Sequence, residues 1–331
     1  MKWYVASGPD GDVVISSRIR LARNIKGYPF ANALSDIQSK EVLEKCKKAS
    51  QPLKLKYLSM ETTPATKRQM LLECHLISPE MLNDTKNKAV LLSDDEQTSI
   101  LLGEEDHIRI QCMKPGLNLS EAFSLADKTD DVLEETLDFS FNPRFGYATC
   151  CPTNTGTGLR ASCMLHLPAI TYTGYIDTLL ATVGKLGMTV RGVYGEGTKA
   201  KGNMYQISNQ ITLGIDEQDS VKRLHELVKM VAEKERNMQE TMEKESGNKL
   251  ADTIWRSYGI LKNARMLTSE EAYKLLSDMR LGVNLGILTN VPIELINELI
   301  IITGPAHIAD KCTENTHQNR DKTRANIVRR K

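Results

Sequence analysis

Alternation of period two dominates the first half of the chain. In Val13–Leu21 (VVISSRIRL), Ile15, Ser17, Ile19 and Leu21 fall on one side of an extended segment. Ser16, Arg18 and Arg20 fall on the other. Residues 86–113 predict two short strands joined by an acidic turn. If 104–112 is also extended, Glu105, His107, Arg109 and Gln111 share a polar side opposite Ile108, Ile110 and Cys112. Gly146–Pro168 predicts strand, small polar turn, strand. In its second half Arg160, Ser162, Met164 and His166 oppose Ala161, Cys163, Leu165 and Leu167. Residues 188–214 predict a strand, a glycine-rich loop and a second alternating strand.

Helical periods fill the gaps. Ser35-Asp36-Ile37-Gln38 is a capping box opening a helix to about Ala49, and Thr63-Pro64 starts another through about Met81. Ser120–Phe139 predicts an amphipathic helix with a solvated acidic side (Asp127, Asp130, Asp131, Glu134, Glu135), and 172–186 predicts a helix ended by Gly187. Residues 216–247 predict one long charged helix with a stripe of Val221, Leu224, Leu227, Val228 and Val231. From about Ile254 onward only helices are expected: Ser269–Met279, Pro292–Ile302 and 318–330. Their apolar sides suggest a small helical unit that buries part of its surface in a homodimer.

Composition narrows the class. The 331 residues are 40% hydrophobic and 26% charged, with net charge +1, which gives no general reason to expect nucleic acid or a membrane surface as partner. No apolar run approaches the ~18 residues of a membrane span, and the start lacks the apolar core of a secretion signal. Seven cysteines form no CxxC pair, so reduced thiols and a cytoplasmic location are expected, and no metal-ligand spacing is present.

The polar sides carry the candidate chemistry. Arg18, Arg20, Arg109, Arg160 and Arg191 are five permanent cations on strands or strand ends, and guanidinium forks suit polyphosphate. Each alone could be an ordinary solvated residue, and Glu105 with Arg109 could be a plain ion pair. Thr153–Gly158 offers hydroxyls and glycines near Cys150 and Cys151. Glu196 sits in the glycine-rich loop, a design common in lids. No P-loop motif occurs, and GTGLRA at 156–161 precedes a strand, so it is not a dinucleotide fingerprint.

Taken together, SSRIR (16–20), EEDHIRI (104–110), CPTNTGTGLRAS (151–162) and RGVYGEG (191–197) resemble the motifs of the phosphagen (ATP:guanidino) kinase family, in its order, over about residues 12–250. The resemblance implies an α+β fold: a catalytic core over 1–253, with an antiparallel sheet flanked by helices, then an all-helical unit over 254–331. It implies ATP with Mg²⁺ held mainly through the nucleotide, with no dedicated metal ligands. The nucleotide would be held by Ser16, Ser17, Arg18, Ile19 and Arg20; by His75 and Arg109; by Arg160, Ala161, Ser162, Cys163 and Met164; and by Arg191, Gly192, Val193, Tyr194, Gly195 and Glu196. Glu105 and Glu196 would grip the acceptor guanidinium, Glu105 as base, with Cys151 beside it and Asn154 supporting the turn.

Within the family the sequence is most similar to the protein-arginine kinases. SSRIR begins at residue 16, leaving no room ahead of it for the small helical domain of the metabolite kinases. A helical tail follows the core, and Arg320-Asp321-Lys322-Thr323-Arg324-Ala325 matches an RDxxRA motif that implies an allosteric phosphoarginine pocket. Gly103 and Tyr194 depart from the usual Asn and Arg, which bears on lid geometry. The expected activity is phosphorylation of protein arginine that marks proteins for degradation. A kinase of free arginine or a non-enzymatic phosphoarginine adaptor are the alternatives. The implied partners are arginine-bearing substrates, the McsA activator, the CtsR repressor and the ClpC–ClpP protease.

Overall fold

The computed structural model describes residues 2–192 and 200–331. The alternating segments form β1 (Val14–Arg23), β2 (Lys56–Ser59), β3 (Ala89–Leu92), β4 (Thr98–Leu102) and β5 (Ile108–Pro115). A two-residue hairpin follows, β6 (Phe141–Asn142) and β7 (Gly146–Tyr147), then β8 (Leu159–His166), β9 (Met188–Gly192) and β10 (Met204–Asn209). Eight of these make one antiparallel sheet in the order β2-β3-β4-β5-β1-β8-β10-β9. The helices are α1 (Asp36–Ala49), α2 (Ala65–Glu73), α3 (Glu80–Asn83), α4 (Leu119–Glu134), α5 (Pro168–Tyr172) and α6 (Ile176–Lys185). After them come α7 (Glu217–Asn263), α8 (Ser269–Asn284), α9 (Ile293–Ile302), α10 (Pro305–Asp310) and α11 (His317–Arg330).

Alternation decides which side of the sheet each residue serves. Ile19, Leu21, Ile108, Ile110, Ala161, Cys163 and Leu165 share the main core with α4 and α7, which cover that side. The opposite side is apolar only toward its ends. At one end Met164, Met204 and Ile15 pack under α8 and α9; at the other Val90, Leu101 and Met113 pack against Trp3 and α2. Between them lies a polar centre.

Several expectations change for local physical reasons. A register shift between Val14 and Ser16 turns Ile15 onto the side of Met164, away from Ile19. The helix begun at Pro64 stops at Glu73, because His75 takes φ +57° and α3 begins anew at Glu80. Residues 172–186 divide into α5 and α6 around Gly174 (φ +72°). The long helix continues to Asn263, interrupted only at Ser246 (φ −139°), beside Gly247. Ser35 does cap α1 in a full capping box with Gln38, and Thr268 caps α8.

Asp130, expected in the solvated acidic row, is buried and pairs with Arg23 at 2.6 Å. Arg23 falls on the core side at the end of β1, where it also donates to the Thr157 carbonyl (3.0 Å) and lies 3.6 Å from the Tyr147 ring centroid. One buried guanidinium thus ties α4 to the 153–158 turn. Removing one partner of a buried pair strands the other charge, so Arg23→Leu is expected to cost about 3–5 kcal/mol in urea unfolding. Arg23→Leu combined with Asp130→Leu should cost clearly less. Equal losses in the single and double variants would contradict the pairing.

Candidate active site

Strand register sets the arginines side by side. Arg20 on β1 lies opposite Arg160 on β8, and Arg18 lies opposite Ser162. Arg20 also lies opposite Gln111 on β5, two residues from Arg109. Arg191 on β9 faces Gln206 on β10, which faces Met164 on β8. Residues directly opposite in an antiparallel pair have Cβ atoms about 4.5–5.5 Å apart, so Arg20 and Arg160 crowd two positive charges together.

Two adjoining cavities open over this row, of about 290 and 260 Å³, sharing Arg20, Ser78, Pro79, Arg109 and Arg191 in their walls. Glu105, Cys151, Asn154 and Arg160 line the first. Arg18, His75, Gln111 and Gln206 line the second. All five arginines named from the sequence therefore converge on one concavity.

The electrostatics are those of an anion cradle. Burial, reinforced by Arg160 and Arg109, lowers the Arg18 guanidinium to about 10. Burial and the same crowding, with Arg18 added, lower Arg20 well below its ordinary value, against an opposing pull from Glu104. Arg18 is braced by the Gln206 Oε1 (2.8 Å) and Ser162 Oγ (3.3 Å). Arg160 Nη2 reaches Ser208 Oγ at 3.5 Å. Burial and Arg18 hold the His75 imidazole down at about 4, so it is neutral at pH 7.

The Glu104–His107 segment is a bend, and β5 begins only at Ile108, so the simple alternation drawn through 104–112 fails there. His107 turns away from Arg109: its Nδ1 accepts from the Ile25 N–H (2.9 Å), and its Nε2 meets the Pro29 carbonyl (2.7 Å). Buried Glu104 takes Arg109 at 2.6 Å, while the more exposed Glu105 takes its other nitrogen at 2.9 Å. Arg109 thus keeps one permanent counter-ion and one carboxylate at the cavity wall. Asp106, fully buried, accepts from Asn24 Nδ2 and from the Cys150 N–H, both at 2.7 Å. That carboxylate joins the Glu105 bend to the turn carrying Cys151.

The Cys151 turn is tightly made. Asn154 N–H donates to the Cys151 carbonyl (3.0 Å), and Cys151 Sγ meets Thr153 Oγ1 (3.0 Å). Gly156 takes φ +117°, and a Cβ there would lie 2.1 Å from the Thr212 carbonyl oxygen, so only glycine fits.

Other named residues are placed elsewhere. Ser17, Ile19, Ala161 and Cys163 put their side chains in the core; Ser17 Oγ donates to the Gly116 carbonyl (2.8 Å) and accepts from Asn118. Ser16 and Met164 are buried on the cavity side but do not line either cavity, and Gly192 lines the second. Val193, Tyr194, Gly195 and Glu196 lie outside the described residues. Arg320–Ala325 sit on α11, away from the cavities. Arg324 is buried, donating to the Thr303 (2.9 Å) and Leu267 (2.7 Å) carbonyls and pairing with Asp321. Arg320 bonds Asn315 and His317. Sequence reading missed Glu104, Asp106, Asn24 and Gln206. The run of three acids at 104–106 was the available signal, but strict alternation would have sent Glu104 and Asp106 away from Arg109.

Residues 37–238 match the family described as ATP:guanido phosphotransferase, C-terminal catalytic domain, and residues 247–331 match the protein-arginine kinase McsB C-terminal domain. The chain is 46% identical to the protein-arginine kinase of Desulforamulus reducens, covering 99% of this chain and 94% of the relative. It is 46% identical to that of Moorella thermoacetica (99% and 96%) and 43% identical to that of Geobacillus stearothermophilus (99% and 92%). Among solved structures it is similar to the duplicated taurocyamine kinase of Schistosoma mansoni with bound transition-state-analogue components. There the TM-score is 0.64 at 26% identity, over 74% of this chain and 37% of that one. It is also similar to a lombricine kinase, with TM-score 0.62 at 25% identity, over 70% and 68%.

Crowding of like charges makes a specific expectation. Arg20→Gln should stabilise the unliganded chain by about 1 kcal/mol, since it relieves repulsion at a site kept for function. The same variant should lose more than half of the rise in Tm that millimolar tripolyphosphate gives the unaltered chain. Thermal unfolding with and without tripolyphosphate reads both effects. An undiminished tripolyphosphate shift would contradict a shared cradle.

Proposed function

From the premise that this chain belongs to the ATP:guanido phosphotransferase family, in its protein-arginine kinase branch, we propose that it transfers the γ-phosphoryl group of ATP to arginine side chains of proteins. The observation that carries the reading is the convergence of five arginines, Glu105 and Cys151 on adjoining cavities, in a chain whose relatives are named for this activity.

The chemistry fits the side chains. Phosphoryl transfer through a loose transition state needs alignment and charge neutralisation, and a single well-placed arginine can contribute ~10³–10⁵ in rate. Arg18, Arg20, Arg109, Arg160 and Arg191 would clamp the polyphosphate, Arg18 held by Gln206 and Arg109 by Glu104. His75 and Gly192, in the wall of the second cavity, complete the proposed nucleotide site, with Ser162 bracing Arg18 and Ser16 and Met164 belonging to it through the strands that carry the arginines. Ser17, Ile19, Ala161 and Cys163 contribute through the strand backbone that sets the arginine register. Val193–Glu196 belong to the same reading.

The acceptor guanidinium is a cation and a poor nucleophile. Glu105, already at guanidinium distance from Arg109, would exchange that partner for the acceptor, with Glu196 as the second carboxylate and Cys151 beside them. As the N–P bond forms and the P–O bond to ADP breaks, the proton on the attacking nitrogen passes to Glu105. Among the described residues no group of three His, Cys, Asp or Glu side chains is arranged to hold a metal, and the cavity walls are cationic. They fit a nucleotide that brings its own Mg²⁺, which supplies charge neutralisation at the β- and γ-phosphates.

The reading extends to the tail. We divide the chain into a catalytic unit (1–253) and a helical unit (254–331), supported by the apolar packing of α8, α9 and α11 on Ile254 and Leu261, a cluster that Met164 and Met204 of the sheet join from the catalytic side. Arg320, Asp321, Lys322, Thr323, Arg324 and Ala325 are proposed as a phosphoarginine-sensing pocket, supported by their motif and by the grouping of Arg320 and Arg324 four residues apart on α11. Marking of proteins for degradation, partnership with McsA, CtsR and ClpC–ClpP, dimerisation through the tail and a cytoplasmic location complete the proposal. No helix among the described residues is long and apolar enough to cross a membrane.

The test is incubation with Mg-ATP and either an arginine-rich protein or free arginine. Acid-labile, alkali-resistant phosphate should appear on the protein and not on the amino acid. Labelling of free arginine alone would overturn the acceptor assignment. Glu105→Gln should lower transfer by about 10²–10⁴-fold while nucleotide affinity stays near that of the unaltered chain. Normal turnover in that variant would remove Glu105 as base.

A further inference from the structure

The end of α2 has an unusual construction. His75 N–H donates to the Leu72 carbonyl and Leu76 N–H to the Leu71 carbonyl, both at 2.9 Å, which is the paired bonding of a Schellman C-cap. The left-handed position in that motif is usually glycine; here it is His75, at φ +57°. A side chain there costs about 1–2 kcal/mol and persists only where its surroundings over-determine it. The conformation aims the imidazole at the second cavity, which it lines with Arg18, Arg20 and Arg191. From β5, Gln111 Nε2 donates to the His75 carbonyl at 2.6 Å.

The His75 ring also lies 6.1 Å, centroid to centroid, from that of Trp3, and a further restraint comes from more than two hundred residues away. Glu73, the last residue of α2, accepts the Ala306 N–H (2.6 Å) and the His307 N–H (3.1 Å) of α10, and its Oε2 meets His307 Nδ1 at 2.6 Å. His307 Nε2 in turn lies 3.6 Å from Cys74 Sγ. Both ring nitrogens of His307 are thus engaged, Nδ1 by Glu73 and Nε2 by the thiol. The fit is close: a Cβ on Gly304 would fall 2.6 Å from Glu73 Oε2. Ile301, at the end of α9, packs into the same apolar cluster as Leu71, Cys74 and Leu76. Arg324 braces this corner from behind through the Thr303 carbonyl.

We propose that Glu73 and His307 are positioning residues for the nucleotide site: their contact clamps the end of α2 onto α10 and holds His75 in the left-handed turn that faces the nucleotide. The assignment rests on the reading of these cavities as a nucleotide site. It makes the helical tail a working part of that site, because α10 supplies half of the clamp. Neither residue lines a cavity, and Glu73 lies two residues before His75, which does.

The test is MgATP affinity of the full-length chain by calorimetry, with KM for nucleotide and for a protein acceptor measured alongside. Glu73→Gln and His307→Asn should each weaken MgATP binding and raise nucleotide KM about 5–10-fold, leaving acceptor KM within about twofold, the pattern of a nucleotide-side perturbation. In a His75→Ala background Glu73→Gln should add less than about twofold, because the group it positions is gone. A brace that served only stability would lower Tm and weaken binding by the same factor with or without His75, and that additivity would overturn the proposal. Should Glu73→Gln not fold, His307→Asn, which keeps a donor toward Glu73, is read in the same cycle. An unaltered chain that does not bind MgATP overturns the proposed function itself. One that binds, with unchanged affinity in both clamp variants, overturns only the positioning role.

Discussion

Mutual repulsion among guanidinium groups on neighbouring strands is the constraint that organises this molecule. Arg20 and Arg160 are paired directly across β1 and β8, and burial, reinforced by Arg18, Arg109 and Arg160, lowers the Arg20 guanidinium well below its ordinary value. A sheet does not tolerate such a row unless its far side is firmly packed, and here that side is the main apolar core beneath α4 and α7. The strands thus serve as a rigid comb. Packing on one side holds charges on the other at spacings they would not choose.

Everything around the row either blunts the repulsion or frames it. Glu104 gives Arg109 a buried counter-ion, and Gln206 and Ser162 hold Arg18 by neutral hydrogen bonds that leave its charge available. Asp106 fastens the Glu105 bend to the Cys151 turn, so the candidate base and the candidate thiol share one buried anchor. The third side of the frame is the end of α2, fixed partly from the helical tail. The site is therefore assembled from segments spread over most of the chain, and its geometry depends on long-range packing more than on any single motif.

The periodic parts of this arrangement were legible in sequence. Alternation in VVISSRIRL and in Arg160–Leu167 separated the arginine side from the core side, and the capping boxes located α1 and α8. What escaped were places where one residue breaks a period. His75 ends a helix that propensity would carry on, and the shift at Val14/Ser16 moves Ile15 across the sheet. The bend at 104–107 brings Glu104 to Arg109 and sends His107 to Ile25. Asp130 looked like one more solvated acid because its partner, Arg23, lies over a hundred residues away. Local pattern reports what a residue's neighbours in sequence prefer, and these four outcomes were decided by contacts made across the fold.

The central claim is spatial: one anion held among Arg20, Arg109 and Arg160, with Glu105 turned toward a second guanidinium. It is tested most directly by a crystal structure with MgADP, nitrate and a short arginine-containing peptide, nitrate standing for the phosphoryl group in flight. The account predicts nitrate within about 3 Å of those guanidinium nitrogens and the peptide guanidinium within the same distance of the Glu105 carboxylate. Nitrate bound elsewhere, or Glu105 still paired only with Arg109 beside a bound peptide, would contradict it.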